Sequence, residues 1–329
     1  MTPATLAVDI GGANTKAAWF DGELVRTLRR PFEVWRDRDA LADVLREVAA
    51  DPADAVAITM TAELSDAFRT KREGVVFVLD AAQAAFGDRP LSVLTTAGEL
   101  VTVEEARARP WDVAAANWVA TALAVAAAYS DALLIDVGST TADIVPIVAG
   151  RVAATAHNDL ERLLAGELVY TGALRTNLAA IAPRVPIRGD WCPVSSEYFA
   201  ISADVHLVLG RLAPEAYDCP TPDGRPATVE YARERVARLV CSDLEQLGAA
   251  EVDAIAAFLY GEQVRQIEDA ARRVRVPSDA PVVAVGSGAF LARAVAARQE
   301  RTVADAPLGA AGGEVAPAAA LAALLAARC

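Results

Sequence analysis

Apolar residues fall along this chain in two rhythms, short unbroken runs and longer stretches with helical spacing. The short run Leu6 to Ile10 predicts a buried strand. Thr15 to Phe20 predicts a second, and a turn at Asp21-Gly22 leads to a third over Leu24 to Leu28. Arg38 to Ala49 has helical spacing and ends near Asp51-Pro52. Ala55 to Met60, Val75 to Leu79 and Leu91 to Thr95 read as strands, with a helix over Ala81 to Phe86. Trp111 to Tyr129 reads as a long, alanine-rich helix. Its apolar part, from Val113, holds Asn117 and Thr121 and is short for a membrane span of roughly 20 residues, so it predicts a buried helix.

The pattern then restarts. Ala132 to Asp136 is again a short apolar run. Ala142 to Val148, a turn at Ala149-Gly150, and Arg151 to Thr155 repeat the hairpin. Pro183 to Pro193 and Leu212 to Thr228 read as irregular. Helices are expected over Val229 to Leu247, Ala249 to Val274, Ala289 to Ala297 and Ala316 to Ala327, with a strand over Pro281 to Val285. The architecture is a weak internal duplication.

The two opening runs end alike. The first reads Val8-Asp9-Ile10-Gly11-Gly12-Ala13-Asn14-Thr15-Lys16, the second Ile135-Asp136-Val137-Gly138-Ser139-Thr140-Thr141-Ala142-Asp143. Each delivers an aspartate into a glycine turn followed by hydroxyl or amide residues. Glycine lets backbone approach a polyphosphate, whose oxygens accept hydrogen bonds from N–H and hydroxyl groups. A carboxylate repels phosphate, so Asp9 and Asp136 are expected to hold hydrated Mg²⁺. Two such turns predict two related lobes clamping one ligand. A third turn, Gly286-Ser287-Gly288, ends a strand and opens a helix, where N–H groups meet phosphate or backbone lies against a base or sugar.

Composition narrows the chemistry. With 329 residues, 54% hydrophobic, the chain supports a large core and two domains. Its net charge of -13 argues against nucleic acid, which needs a basic face. Four scattered cysteines (Cys192, Cys219, Cys241, Cys329) and two histidines show no zinc-ligand spacing, and reduced thiols fit a cytoplasm. Met1-Thr2-Pro3-Ala4 leads straight into a strand without a signal peptide. Of 31 basic residues only Lys16 and Lys71 are lysine, which marks both as places for a compact ammonium.

Three glycine turns in this order resemble the superfamily of actin, hexokinase and Hsp70, where they correspond to the phosphate 1, phosphate 2 and adenosine motifs. The resemblance implies an α/β fold of two ribonuclease-H-like lobes with a central cleft. The lobes would span 1–130 and 131–315, with a terminal helix over 316–329 returning to the first. A narrower resemblance rests on Asp9 to Lys16, Thr59-Met60-Thr61-Ala62-Glu63-Leu64, Lys71-Arg72-Glu73-Gly74 and Ala116-Asn117-Trp118. It continues through Asp136 to Asp143, Tyr170-Thr171-Gly172-Ala173-Leu174-Arg175-Thr176, and Ser202-Ala203-Asp204-Val205-His206. These segments resemble the hydantoinase/oxoprolinase-related proteins of tetrahydromethanopterin-linked one-carbon metabolism. That family implies a transferase of methanofuran biosynthesis. Such an enzyme joins an aminomethylfuran-methyl diphosphate to the phenol oxygen of γ-glutamyltyramine and releases pyrophosphate.

Under that expectation Gly11, Gly12, Asn14, Thr15 and Lys16 take one side of the diphosphate. Gly138, Ser139, Thr140 and Thr141, with Gly286, Ser287 and Gly288, take the other. Charge on the leaving pyrophosphate calls for N–H donors, a lysine and Mg²⁺. The phenol, with a pKa near 10, calls for a general base. Glu63 and Asp66 follow a strand end and lie near Lys71 in sequence, ahead of Asp143, Asp204, His157 and His206. Lys71, Asn117 and Arg175 are expected to bind substrate, and Arg188 is a second candidate carboxylate clamp. Tyr170, Tyr198 and Phe199 are candidates for an aromatic pocket. The expected partners are small-molecule diphosphate and amine or phenol substrates, without nucleic acid or membrane, and a homodimer is left open. Two readings compete. An ATP-dependent small-molecule kinase or hydantoinase-like amide-bond enzyme would bind ATP as cofactor. A nucleotide-gated assembly protein would yield no small-molecule product.

Overall fold

The computed structural model describes residues 4–328 other than 49, 88, 308, 310–312 and 314. Met1-Thr2-Pro3, the helix end expected at Ala49, and Cys329 lie outside the described residues. The chain divides into two compact units. Unit 1 comprises Met1–Leu134, Val145–Ala165 and Ala304–Cys329, and unit 2 comprises Ile135–Ile144 and Gly166–Val303.

Unit 1 is built on β1 (Thr5–Ile10), β2 (Asn14–Phe20), β3 (Leu24–Pro31), α1 (Leu41–Val48), β4 (Ala55–Met60), α2 (Lys71–Phe86), β5 (Leu91–Leu94), β6 (Leu100–Thr102), α3 (Val103–Ala108) and α4 (Asn117–Ala128). Its sheet runs β3-β2-β1-β4-β5-β6. β1 pairs antiparallel with β2 and parallel with β4, and β4 pairs parallel with β5. That is the strand order of a ribonuclease-H-like lobe. Every residue of β1 is buried, Asp9 included, as expected of a central strand covered on both faces. Leu6, Val8 and Ile10 pack with Val56, Ile58, Val75, Val78 and Leu79, each fully buried side chain contributing about 1.5–3 kcal/mol.

The chain continues through β7 (Ala132–Val137), β8 (Ala142–Val148), β9 (Arg151–Val152), α5 (Asp159–Ala165), β10 (Leu168–Val169), α6 (Leu178–Ile181), β11 (Arg184–Ile187), β12 (Asp190–Pro193), α7 (Ser202–Val208), α8 (Val229–Arg238), α9 (Ala249–Ala271), β13 (Val282–Val285), α10 (Ala289–Arg298), β14 (Val303–Ala304) and α11 (Ala316–Ala326). The second sheet has the order β10-β8-β7-β13-β14, with β9 paired to β8. α11 packs on β1, β2, β4 and α4, and Thr5 Oγ1 donates to the Ala322 carbonyl at 2.9 Å.

Four expectations are corrected. Val75 to Leu79 is helix, not strand: Val75, Val78, Leu79, Ala82 and Phe86 are buried at helical spacing within α2, and Thr70 Oγ1 caps it by accepting the Glu73 N–H at 3.1 Å. The helix expected over Trp111 to Tyr129 begins only at Asn117, because Ala115 takes a left-handed φ of 52° that interrupts it. Pro183 to Pro193 is a hairpin rather than a loop; Arg188 and Gly189, both at positive φ, form its two-residue turn. The helix expected over Val229 to Leu247 stops at Arg238, and Cys241 at φ 54° lies just beyond. The segment Val145–Ala165, placed by sequence in the second lobe, clusters with unit 1. β9 packs on α4, and two side-chain contacts tie α5 to unit 1.

Candidate active site

In unit 1, β1 and β2 hold the first glycine turn. Gly11 N–H donates to the Asn14 carbonyl at 3.0 Å and closes it. A Cβ at Gly11 would lie 2.7 Å from that oxygen, so glycine is required there by space. The Gly12 and Ala13 carbonyls accept from Val34 and Phe32 at 2.9 and 3.1 Å, which leaves N–H groups as the turn's outward resource. Asp9 faces Lys16 across β2 and Thr59 across β4. Lys16 Nζ lies 3.9 Å from Asp9 Oδ2. Asp9 is 3% exposed and Thr59 fully buried. Asn14 Oδ1 and Thr59 Oγ1 are buried without a hydrogen-bond partner. Thr15 is placed differently. It pairs with Ile10, and strand alternation turns its side chain to the opposite face from Lys16. The Thr15 hydroxyl therefore points to the face opposite the Asp9–Lys16 pair.

β4 ends in a 3₁₀ turn, Ala62–Leu64, that buries Glu63. Thr61 N–H donates to the Ile10 carbonyl at 2.9 Å, and Thr61 Oγ1 would sit 3.6 Å from a Cβ on Gly11. The turn bearing Glu63 thus leaves the sheet beside the first glycine turn. Glu63 is 1% exposed, and neither carboxyl oxygen has a side-chain hydrogen-bond partner. Burial pushes its pKa up to about 7. The Lys71 ammonium and the backbone N–H groups of Glu63 and Ala115 oppose that shift, and the Asp159 charge reinforces it. Gly74 fixes the place of Glu63: a Cβ there would lie 2.4 Å from the Glu63 carbonyl oxygen. Lys71, first residue of α2, donates from Nζ to Asp159 Oδ2 at 2.5 Å. One turn later on α5, the Arg162 guanidinium lies 4.1 Å from the Trp118 ring centroid. Asn117 begins α4, and its Oδ1 accepts the Trp118 N–H at 2.9 Å. Asp66 is exposed on the loop beyond Glu63.

Unit 2 repeats the turn. Gly138 N–H donates to the Thr141 carbonyl at 2.8 Å, the same closure as Gly11 to Asn14. Asp136 is 7% exposed, whereas Ser139, Thr140 and Thr141 are half-buried. The third glycine turn lies directly on the second. A Cβ at Gly286, where φ is +83°, would fall 2.3 Å from the Val137 carbonyl and 2.5 Å from Asp136 Oδ1. Gly288 N–H donates to the Val137 carbonyl at 2.8 Å. Ser287 between them is half-buried. Another strap, Thr171 to Thr176, closes the other side. Ala173, Leu174 and Arg175 donate backbone N–H groups to Gly138 and Ser139 carbonyls at 2.9–3.0 Å. A Cβ on Gly172 would lie 2.5 Å from Thr140 N. The Gly172 carbonyl accepts from Ser202 Oγ and Gln263 Nε2.

Several other candidates have structural roles. Asp204 is fully buried and paired to buried Arg235 at 2.8 Å, while it accepts from Ile201 N and Tyr217 OH. It anchors α7 and is not a free base. His206 is fully buried with its ring 4.8 Å from that of Phe290, and burial lowers its pKa to about 3. Arg188 already clamps Glu251 on the surface through two hydrogen bonds. The Arg175 charge draws the Cys219 thiol down, although burial dominates and pushes it up to about 11. His157, Tyr170 and Tyr198 are exposed.

A family model described as Hydantoinase/oxoprolinase matches residues 54–328. The chain belongs to the hydantoinase/oxoprolinase family. Among its relatives is the (4-{4-[2-(gamma-L-glutamylamino)ethyl]phenoxymethyl}furan-2-yl)methanamine synthase of Methanocaldococcus jannaschii. It is 40% identical over 265 residues, which cover 80% of this chain and 79% of that protein. The protein of the same name from Methanococcus vannielii is 45% identical over 128 residues, 39% of this chain and 57% of that one. Among solved structures, a ROK family glucokinase from Streptomyces griseus in complex with glucose and AMPPNP aligns with a TM-score of 0.50. The match covers 98% of this chain and 99% of that one. At 15% identity this likeness concerns the α/β fold alone.

Sequence reasoning gave no site role to two residues of this hydantoinase/oxoprolinase chain. Thr59 had a signal, a polar residue inside an apolar strand, and it lies in register with Asp9. Asp159 had none, because its partner Lys71 is 88 residues away. Among the described residues no helix is long and apolar enough to cross a membrane.

Proposed function

We propose that this chain is the ether-forming transferase of methanofuran biosynthesis. The phenol oxygen of γ-glutamyltyramine bonds to the furanylmethyl carbon, the carbon–oxygen bond to diphosphate breaks, pyrophosphate leaves, and the phenolic proton passes to Glu63. The relative at 40% identity supports the reaction. The observation that carries the residue-level reading is Glu63, a buried carboxyl with no side-chain hydrogen-bond or ion-pair partner and with a pKa near 7. A general base acts best when its pKa lies near the working pH, and a carboxyl in water, at 4.5, is too weak for a phenol near 10.

In unit 1, Gly11, Gly12, Asn14 and Lys16 are assigned to the diphosphate oxygens. The partnerless Asn14 and Thr59 oxygens beside buried Asp9 fit a polar ligand with hydroxyl, ammonium or metal-water donors. In unit 2, Gly138, Ser139, Thr140 and Thr141 form a turn of the same construction and receive the same assignment. Asp9 and Asp136 are hard oxygen donors of the kind that hold hydrated Mg²⁺. Among the described residues no group of three or more His, Cys, Asp or Glu is arranged around a metal position. A Mg²⁺ at either aspartate would draw its other ligands from water and diphosphate, and it would neutralise leaving-group charge. Lys71, Asn117 and Arg175 are assigned to the acceptor. A cytoplasmic location and a role in tetrahydromethanopterin-linked one-carbon metabolism complete the reading.

The test is mass spectrometry of purified protein with Mg²⁺, furanylmethyl diphosphate and γ-glutamyltyramine, beside wells holding ATP and the furanylmethyl alcohol. Ether and pyrophosphate without ATP are the expected products. The competing reading is ATP-dependent amide-bond or kinase chemistry. ADP without ether would assign the glycine turns to ATP and overturn the synthase reading.

A further inference from the structure

Lys71 and Glu63 are oppositely charged neighbours in unit 1, yet they do not pair. The ammonium is bound instead by Asp159, at 2.5 Å, with both side chains about one-fifth exposed. Glu63, 1% exposed, has no side chain paired to either carboxyl oxygen. The chain holds Asp159 in place from several directions. Asn158 Oδ1 accepts the Glu161 N–H at 3.0 Å and starts α5. The His157 N–H donates to Glu161 Oε2 at 3.2 Å. Buried Arg162 stacks on Trp118 and pins the middle of the helix. Gly74 holds the other side of the cluster, where α2 touches the Glu63 backbone.

We propose that Asp159 is a positioning residue that captures the Lys71 ammonium and so prevents it from closing an ion pair on Glu63. This rests on the reading of Glu63 as the base. A carboxylate locked to an ammonium would be too weak a base for a phenol, because the pair stabilises the ionised form. The Lys71–Asp159 pair leaves near-neutral charge beside Glu63, which can then take a proton and release it between turnovers. The charged groups acting on Glu63 are Lys71 from α2, which favours ionisation, and Asp159 from α5, which opposes it. Uncharged dipoles come from its own backbone and from Ala115. Removal of either charged partner therefore moves Glu63 in opposite directions.

The experiment is a pH titration of the full-length protein by difference infrared spectroscopy. It follows the carbonyl stretch of a buried carboxylic acid, with Glu63→Gln as the blank, so it needs no activity. Asp159→Asn is expected to lower the Glu63 midpoint by about 1–3 units, the effect of an opposite charge within about 4–6 Å. Lys71→Met is expected to raise it, and Asp159→Glu to restore the wild-type midpoint. In the ether assay, the acidic limb of kcat/KM should move with the infrared midpoint, while KM for the diphosphate holds. A Glu63 midpoint unmoved by Asp159→Asn, or shifted the same way by Asp159→Asn and Lys71→Met, overturns the proposal. Infrared shifts as expected in a protein that forms no ether would keep the positioning role and discard the reaction. Ether formation with unmoved midpoints would do the reverse.

Discussion

Replacing Glu63 by glutamine should make the protein more stable in alkali and no more stable in acid. The folded carboxyl titrates near 7, against 4.5 in the unfolded chain. Below pH 4.5 both states carry the proton and Glu63 costs nothing. Between 4.5 and 7 the unfolded chain ionises first, so it binds fewer protons than the folded state and stability falls as pH rises. Above 7 the full cost is present, about 3 kcal/mol from the gap between the two values. Glutamine has the shape of the protonated acid and never ionises. Glu63→Gln should therefore gain about 3 kcal/mol at pH 8.5, or roughly 6–12 °C for a unit of this size, and almost nothing at pH 4.5. Two compact units need not melt together, so the readout is hydrogen exchange in peptides of β4 and α2 under graded urea. The same variant should lose activity by about 10²–10⁴ if Glu63 is the base. Equal stability of variant and wild type at pH 8.5 would refute the reasoning. So would an equal gain at both pH values, since a packing effect does not titrate.

The other predictions concern glycines, ion pairs and Lys16. Gly286→Ala adds a methyl 2.3 Å from the Val137 carbonyl at a φ of +83°. It should cost at least about 1–2 kcal/mol from the backbone alone and displace the Asp136 turn. Gly12→Ala has nothing within 4 Å of the new methyl and should melt with wild type, a contrast read by calorimetry. Arg235→Met leaves Asp204 charged and buried, and should cost about 3–5 kcal/mol in urea unfolding. Arg188→Ala breaks only an exposed pair and should cost under about 1 kcal/mol. Lys16→Ala should abolish pyrophosphate release, followed by a coupled phosphate assay, with unchanged melting; full retention of turnover would remove Lys16 from the site.

The strands were largely legible because a central strand is a short apolar run, and Ala55–Met60 matches its expected bounds. Val75 to Leu79 misled because a five-residue apolar run fits a strand as well as one face of a helix. Only the Thr70 cap and the later turns of α2 separate the two. The hairpin at Arg184–Pro193 was obscured by its prolines, which a two-stranded ribbon tolerates at its edges. The glycine turns could be recognised as turns, but not by which glycines are irreplaceable. Gly286 and Gly12 read alike in sequence, and only their surroundings tell them apart. Among the carboxylates, sequence ranked Glu63 and Asp66 together. Burial separates them, and burial comes from α2 closing over the turn at Gly74. Asp159 was out of reach of local reasoning, because it meets Lys71 only once α5 has docked on unit 1.

The hydrogen bond from Thr5 to Ala322 has a consequence during synthesis on the ribosome. β1 leaves the exit tunnel first among the strands of unit 1, and the helix that covers it is translated more than 300 residues later. At about 5–20 residues per second, one face of this apolar strand waits roughly 15–60 s for its cover. A nascent chain in that state exposes a sticky surface while unit 2 is still being made. Stop codons or fusions that remove Ala316–Ala326 would make that exposure permanent. Such chains should be found with chaperones or in aggregates rather than as inactive soluble protein.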